Sequence, residues 1–188
     1  MALPVAHGLL GAAVAALFQP KQVAERSHKT MITAALLAIT PDLDYLFYRG
    51  LEWGESWHRS FSHSLLFAVV AGLLAGFLVG PVKTRSFVIY SLATFTHPIL
   101  DAVISEDPSG VQLLWPLSDR VFSFGLGNYY DSVLRSHPTL GEVVWRVLAI
   151  SAVELLVFGP ILLGAIRPTR GVRGYQEEES PQSDTPRR

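Results

Sequence analysis

SLLFAVVAGLLAGFLVGPV, residues 64–82, runs for 19 positions without a charge. A helix that crosses the hydrocarbon core of a bilayer needs about 20 mainly apolar residues, and this stretch has that length. Four more apolar runs surround it. Residues 147–166 are interrupted only by Glu154. Residues 87–104, FVIYSLATFTHPILDAVI, carry His97, Pro98 and Asp101 near their end. Residues 4–18 and 30–46 are shorter, and Pro41 should kink or restart the second of them. Runs of that length read as tilted, re-entrant or protein-buried. Composition agrees: 49% of the chain is hydrophobic and 16% charged, where soluble domains carry about 25% charge. Mean hydropathy is +0.32. The expected fold is all-α, a polytopic membrane bundle of about five helices whose first two are short or re-entrant.

Charge orients such a bundle. With the C-terminal end cytoplasmic, five helices put the N-terminus outside. Residues 21–29, 83–85 and 167–188 then lie inside and hold ten of the 15 Lys and Arg residues, in line with the positive-inside rule. The connection over 105–142 falls outside and has the Pro, Gly and aromatic content of an interfacial cap. Residues 167–188 are rich in Arg, Glu, Pro and Ser and read as a disordered cytoplasmic tail on a membrane domain of residues 1–166. The N-terminus lacks the basic leader of a cleaved signal. A net charge of −1 gives no ground for nucleic-acid binding, and the absence of cysteine excludes thiolate chemistry.

Several polar residues stand where apolar helices should not carry them. His7 opens the first helix. Asp42 and Asp44, in TPDLD, close the second. His58 and His63, in HRSFSHS, open the third, and His97 and Asp101, in HPILD, lie late in the fourth. With alternating helices all seven fall at one end of the bundle, although the topology was drawn without them. Ionisable groups inside a membrane cost several kcal/mol unless paired, solvated or bound to metal. Imidazoles and carboxylates without sulfur suit zinc, manganese or iron better than magnesium. His97 and Asp101 share a helical face. His58 and His63, about 140° apart on a helix, converge only if His58 lies in the preceding turn and His63 in the first turn. Asp42 and Asp44 cannot share a face, so one of them is free to orient a His instead.

Seven candidate ligands exceed the needs of one four-coordinate ion and suit two ions sharing a carboxylate. Two-metal sites activate water and stabilise both oxygens of a phosphoester displacement. Arg59, between the two His of HRSFSHS, is placed to hold a phosphate oxygen. The expectation is a membrane-bound hydrolase of phosphoester substrates, with membrane lipid as partner and source. Two other uses of the same residues remain open: a small metal or proton transporter, and a scaffold whose polar cluster is structural. The plainer features have plainer readings. His28 reads as surface, Glu154 as a buried hydrogen bond to a neighbouring helix, and the Gly-rich run 72–80 as helix packing.

The succession of AHG, PDLD, HRSFSHSLL and HPILD, followed by PSGVQLLWPLS, resembles the YdjM-like family over about two-thirds of the chain. That family is described as membrane-bound and expected to act as metal-dependent hydrolases. It is distantly similar to zinc-dependent phospholipase C, an all-helical fold with a multi-zinc site. The resemblance implies that His7, Asp42, His58, His63, His97 and Asp101 are metal ligands or close neighbours of them, with Asp44 the second acid of the PDxD pattern. It also places residues 108–118 over the mouth of the site. Pro98 departs from the family pattern and leaves the His97–Asp101 face in question.

Overall fold

A computed structural model describes residues 3–19, 24–51, 59–79, 84–105, 110–125 and 139–166. Their regular elements are helices: α1 (Pro4–Phe18), α2 (Ala24–Ile39), a single 3-10 turn (Thr40–Leu43), α3 (Asp44–Gly50), α4 (Leu65–Val79), α5 (Thr84–Ile104) and α6 (Leu140–Ile166). The all-α expectation holds, with five long helices and the short α3. Helices α5 and α6 are long and apolar enough to cross a membrane, and α1 and α4 are shorter apolar helices.

Local chemistry explains most boundaries. Pro4 supplies the fixed φ that starts α1 at the position where its missing N–H costs nothing. Pro41 falls at the start of the 3-10 turn and restarts the chain there, which divides the second apolar run into α2 and α3. The second helix begins at Ala24, ahead of the expected residue 30, because AERSHK is built of good helix formers despite its charge. The last helix begins seven residues before the apolar run. Thr139 and Glu142 form a capping box: Thr139 N–H donates to Glu142 Oε2 at 2.8 Å, and Glu142 N–H to Thr139 Oγ1 at 3.4 Å. The described part of α4 ends at Val79, short of residue 82. Residues 167–188, read from sequence as a tail, lie outside the described residues.

Packing follows small side chains. Helix α1 lies against α2, α5 and α6, and α4 pairs with α5. A Cβ on Gly11 would stand 2.5 Å from the Ala34 carbonyl, and one on Gly72 would overlap Ser91. Bare backbone at these two crossings is what lets α1 approach α2 and α4 approach α5. The core beneath them is Ala15, Ala34, Ala75, Ile89, Tyr90 and Ala93. Lipid tails are as apolar as leucine, so close van der Waals contact holds such helices together.

The connection after α5 folds back over one end of the bundle. Val111 and Phe122 form an antiparallel bridge. Leu65 N–H donates to the Leu113 carbonyl at 2.9 Å, Gln112 N–H to the Arg59 carbonyl at 3.0 Å, and Phe124 N–H to the Ala102 carbonyl at 2.8 Å. Trp115 packs edge-on against Phe61. The described part of the 108–118 stretch therefore sits on the start of α4, while Phe124 is tied to the end of α5.

Candidate metal centre

Each ligand-type side chain reaches the capped end for a local reason. Pro98 removes one helical hydrogen bond, yet α5 runs through it to Ile104. The i,i+4 pair therefore keeps one face, with His97 Nε2 3.5 Å from Asp101 Oδ2. His63 sits just before α4. Ser64 caps that helix: its Oγ accepts the Phe67 N–H at 3.1 Å and donates to the Phe61 carbonyl at 2.7 Å. His63 thus lies one step earlier than the first helical turn expected for it. Arg59 opens the same turn with φ 66°, a left-handed conformation costing a non-glycine residue roughly 1–2 kcal/mol.

Asp42, His63, His97 and Asp101 each offer one ligand atom, and these four atoms lie within 4.8 Å of one another. His97 Nε2 stands 3.1 Å from His63 Nε2 and 3.4 Å from Asp42 Oδ1, and His63 Nε2 stands 3.4 Å from Asp101 Oδ2. His7, His63, His97 and Asp101 are fully buried, while Asp42 is 24% exposed, so the group opens on the Asp42 side.

The hydrogen bonds fix which way the imidazoles are protonated. His97 Nδ1 is 2.8 Å from the Ala38 carbonyl, which only accepts, so Nδ1 carries the proton. Ser62 Oγ donates to Asp44 Oδ2 at 2.5 Å and is left to accept from His63 Nδ1 at 2.9 Å. In the neutral rings both Nε2 atoms are then bare lone pairs, and they face each other and two carboxylates. Four acceptors converge with no proton among them. A cation resolves that repulsion, and two carboxylates balance the charge of a divalent one in a low dielectric. Ligand atoms about 2.0–2.2 Å from a tetrahedral ion stand roughly 3.3–3.6 Å apart. The three His–carboxylate contacts, at 3.4–3.5 Å, fall in that range, the His63–His97 contact at 3.1 Å is shorter, and the four atoms together lie within 4.8 Å.

The remaining expected residues separate into two groups. His7 stacks on His97 with ring centroids 3.7 Å apart, and its Nε2 lies 3.6 Å from Asp101 Oδ1. Neither ring nitrogen of His7 and neither oxygen of Asp101 has a hydrogen-bond partner among the described residues. Asp101 thus turns one oxygen to the four-atom group and the other to His7. Asp44 stands outside the group. It accepts from Ser62 Oγ and from Arg59 N–H at 3.3 Å, and its Oδ2 lies 3.5 Å from His63 Nδ1. Arg59 meets the site through that backbone bond, and its Nε is buried without a hydrogen-bond partner among the described residues. His58 lies outside the described residues. His28 is exposed on α2.

Ser62 is a working part that the sequence reading passed over, since a hydroxyl carries no charge to betray it. If the cluster holds zinc, Ser62→Ala is expected to weaken its binding by about 10–100-fold, the usual cost of losing a partner that orients a ligand. Ser62→Thr, which keeps the hydroxyl, should recover most of it. Competition with a chromogenic chelator measures both.

A family model described as YdjM inner membrane protein matches residues 1–171. No curated protein and no solved structure matches the chain.

Proposed function

The chain belongs to the YdjM inner membrane protein family, and from that premise we propose that it is a membrane-bound, metal-dependent hydrolase of phosphoester bonds, with lipid phosphoesters the substrates nearest to hand. The observation that carries the reading is the convergence of one ligand atom each from His63, His97, Asp42 and Asp101 within 4.8 Å of one another. The donor set is two imidazoles and two carboxylates, which suits zinc first and manganese or iron after it. A bound divalent ion supplies a Lewis acid and a nucleophile from water near neutral pH.

The chain's own groups do the rest. Asp44 and Ser62 hold His63 with its Nε2 turned inward. The Ala38 carbonyl does the same for His97. His7 and the second oxygen of Asp101, 3.6 Å apart, form the start of a second cation position. Arg59 supplies positive charge for a phosphate oxygen, and its unpaired buried Nε supports that role. The distribution of basic residues supports an orientation with the N-terminus and the site outside and residues 167–188 cytoplasmic. An ion conduit needs polar groups through the depth of the bilayer. Here the core below the cluster is Ala15, Ala34, Ala75, Ile89, Tyr90 and Ala93, which favours an enzyme.

The test is metal analysis of detergent-purified protein together with hydrolysis of bis(p-nitrophenyl) phosphate. The expected result is stoichiometric zinc, manganese or iron, hydrolysis that a chelator removes, and recovery on returning the metal. Protein without stoichiometric transition metal at neutral pH, or hydrolysis indifferent to chelation, would overturn the proposal.

A further inference from the structure

Beside the metal cluster lies an apolar cavity of about 450 Å³ between α1 and α5. Leu10, Val14 and Phe18 form one wall, and Leu92, Ile99 and Leu100 stand on the other. One end of the groove is lined by close chain neighbours of site residues: Leu10 is one helical turn past His7, and Leu100 directly precedes Asp101. The other end is lined by Phe18 and Leu92. Leu10 to Phe18 covers eight residues, about 12 Å of helix, and Leu92 to Val103 covers eleven, about 16 Å. One leaflet of the ~30 Å hydrocarbon core is about 15 Å deep. The groove is therefore as long as the chain region of one leaflet, and one end of it lies within one helical turn of His7 and Asp101 along α1 and α5.

The lining asks for nothing polar. Thr96 is its one hydroxyl, and that group already donates to the Ala93 carbonyl at 2.7 Å. Phe18, Leu92 and Ile99 are also partly exposed on the outer surface of the bundle. A chain can therefore enter sideways from the bilayer without crossing water.

We infer that the α1–α5 groove seats one hydrocarbon chain of the lipid whose phosphoester is placed at the His/Asp cluster. This rests on the hydrolase reading and adds to it a seat on the protein for the lipid's acyl chain, so that the substrate is held by its chain as well as its headgroup. The groove selects by shape. A chain leaving one apolar medium for another gains packing and no hydrophobic free energy. A bulky side chain inside the groove should therefore act as a steric block.

The experiment uses the full chain in nanodiscs of palmitoyl-oleoyl phosphatidylethanolamine, doped with a phosphatidylcholine that carries a diazirine at the end of one acyl chain. Irradiation followed by peptide mass spectrometry reads where the chain end sits. Label should gather at Val14, Leu92 and Phe95, well above the level at Leu78 and Leu156, which are 85% and 75% exposed and face lipid generally. Leu92→Trp should lower the groove label about tenfold through overpacking while the label at Leu78 stays. Even labelling of all exposed leucines, or groove label indifferent to Leu92→Trp, would overturn the inference. So would a dimer on native mass spectrometry with the groove unlabelled, which would make a second copy the occupant. Labelling needs no turnover, so the two readings fail separately. Groove label without any hydrolysis removes the enzyme and leaves the lipid seat, whereas hydrolysis without groove label removes the seat and leaves the enzyme.

Discussion

If the cluster holds a catalytic metal as proposed, replacing His97 by alanine is expected to abolish metal binding and to cut hydrolysis by more than about 100-fold, since loss of even an outer partner of a metal ligand costs roughly 10–100-fold. His97 is the hub of the cluster. Its Nε2 lies 3.1–3.5 Å from His63, Asp42 and Asp101, and its Nδ1 fastens α5 to the carbonyl of Ala38 on α2. Removing the ring leaves Asp42, Asp101 and His63 as acceptors with one fewer ligand to share a cation.

The same geometry has a purely structural competitor, in which His97 carries a second proton and bridges Asp42 and Asp101 as a buried imidazolium. The two readings part on metal dependence. A ligand that binds only the folded state raises its stability in proportion to the logarithm of its concentration. A chelator should therefore lower the thermal midpoint of the wild type and leave that of His97→Ala unmoved. Metal content, hydrolysis and midpoint are to be read from the same preparations. Equal metal in both proteins, or a wild-type midpoint indifferent to the chelator, would favour the imidazolium.

How much of this was legible in the sequence depends on the kind of signal. Apolar runs and prolines carry their meaning locally, so α1 stands at its expected bounds and Pro41 restarts the chain as expected. The His97–Asp101 face was readable because i,i+4 is a property of any helix, and α5 keeps it through Pro98. The end of α2 was harder. Periodicity separates Asp42 from Asp44 but cannot say which faces inward, because a 3-10 turn shifts the phase between them. The structure gives Asp42 to the cluster and Asp44 to Ser62 and Arg59. Hydropathy also placed the start of α6 at residue 147, although T-L-G-E at 139–142 already spelled a capping box. Contacts such as His97 with the Ala38 carbonyl have no sequence mark, because every residue owns a carbonyl.

Glu154 shows what lies beyond sequence periodicity, and its loss should be the most damaging single change to stability. A lone acid in an apolar helix demands a partner, but nothing in residues 147–166 says that the partner is the other end of the chain. Glu154 is buried on α6, and its Oε1 and Oε2 accept the backbone N–H groups of Leu3 at 2.6 Å and Ala6 at 3.0 Å. Those donors belong to the opening turn of α1, which has no side-chain cap of its own. The carboxylate also meets the positive end of the helix dipole. Water cannot replace it there, because unsatisfied backbone groups inside a membrane stay unsatisfied. Glu154→Ala strands both donors and should cost about 3–5 kcal/mol, summing two charge-assisted bonds and the unpaired groups left behind. Glu154→Gln keeps one accepting oxygen but turns an amide N–H toward a second donor, and should cost about 1–3 kcal/mol. Reversible unfolding of the three proteins in one detergent measures the order. His7 follows Ala6 directly, so freeing this turn should also loosen the ring that stacks on His97, and Glu154→Ala should hold its metal more weakly than Glu154→Gln. If both variants unfold with the wild type, the two bonds carry no stability and α1 is held by its packing against α2, α5 and α6.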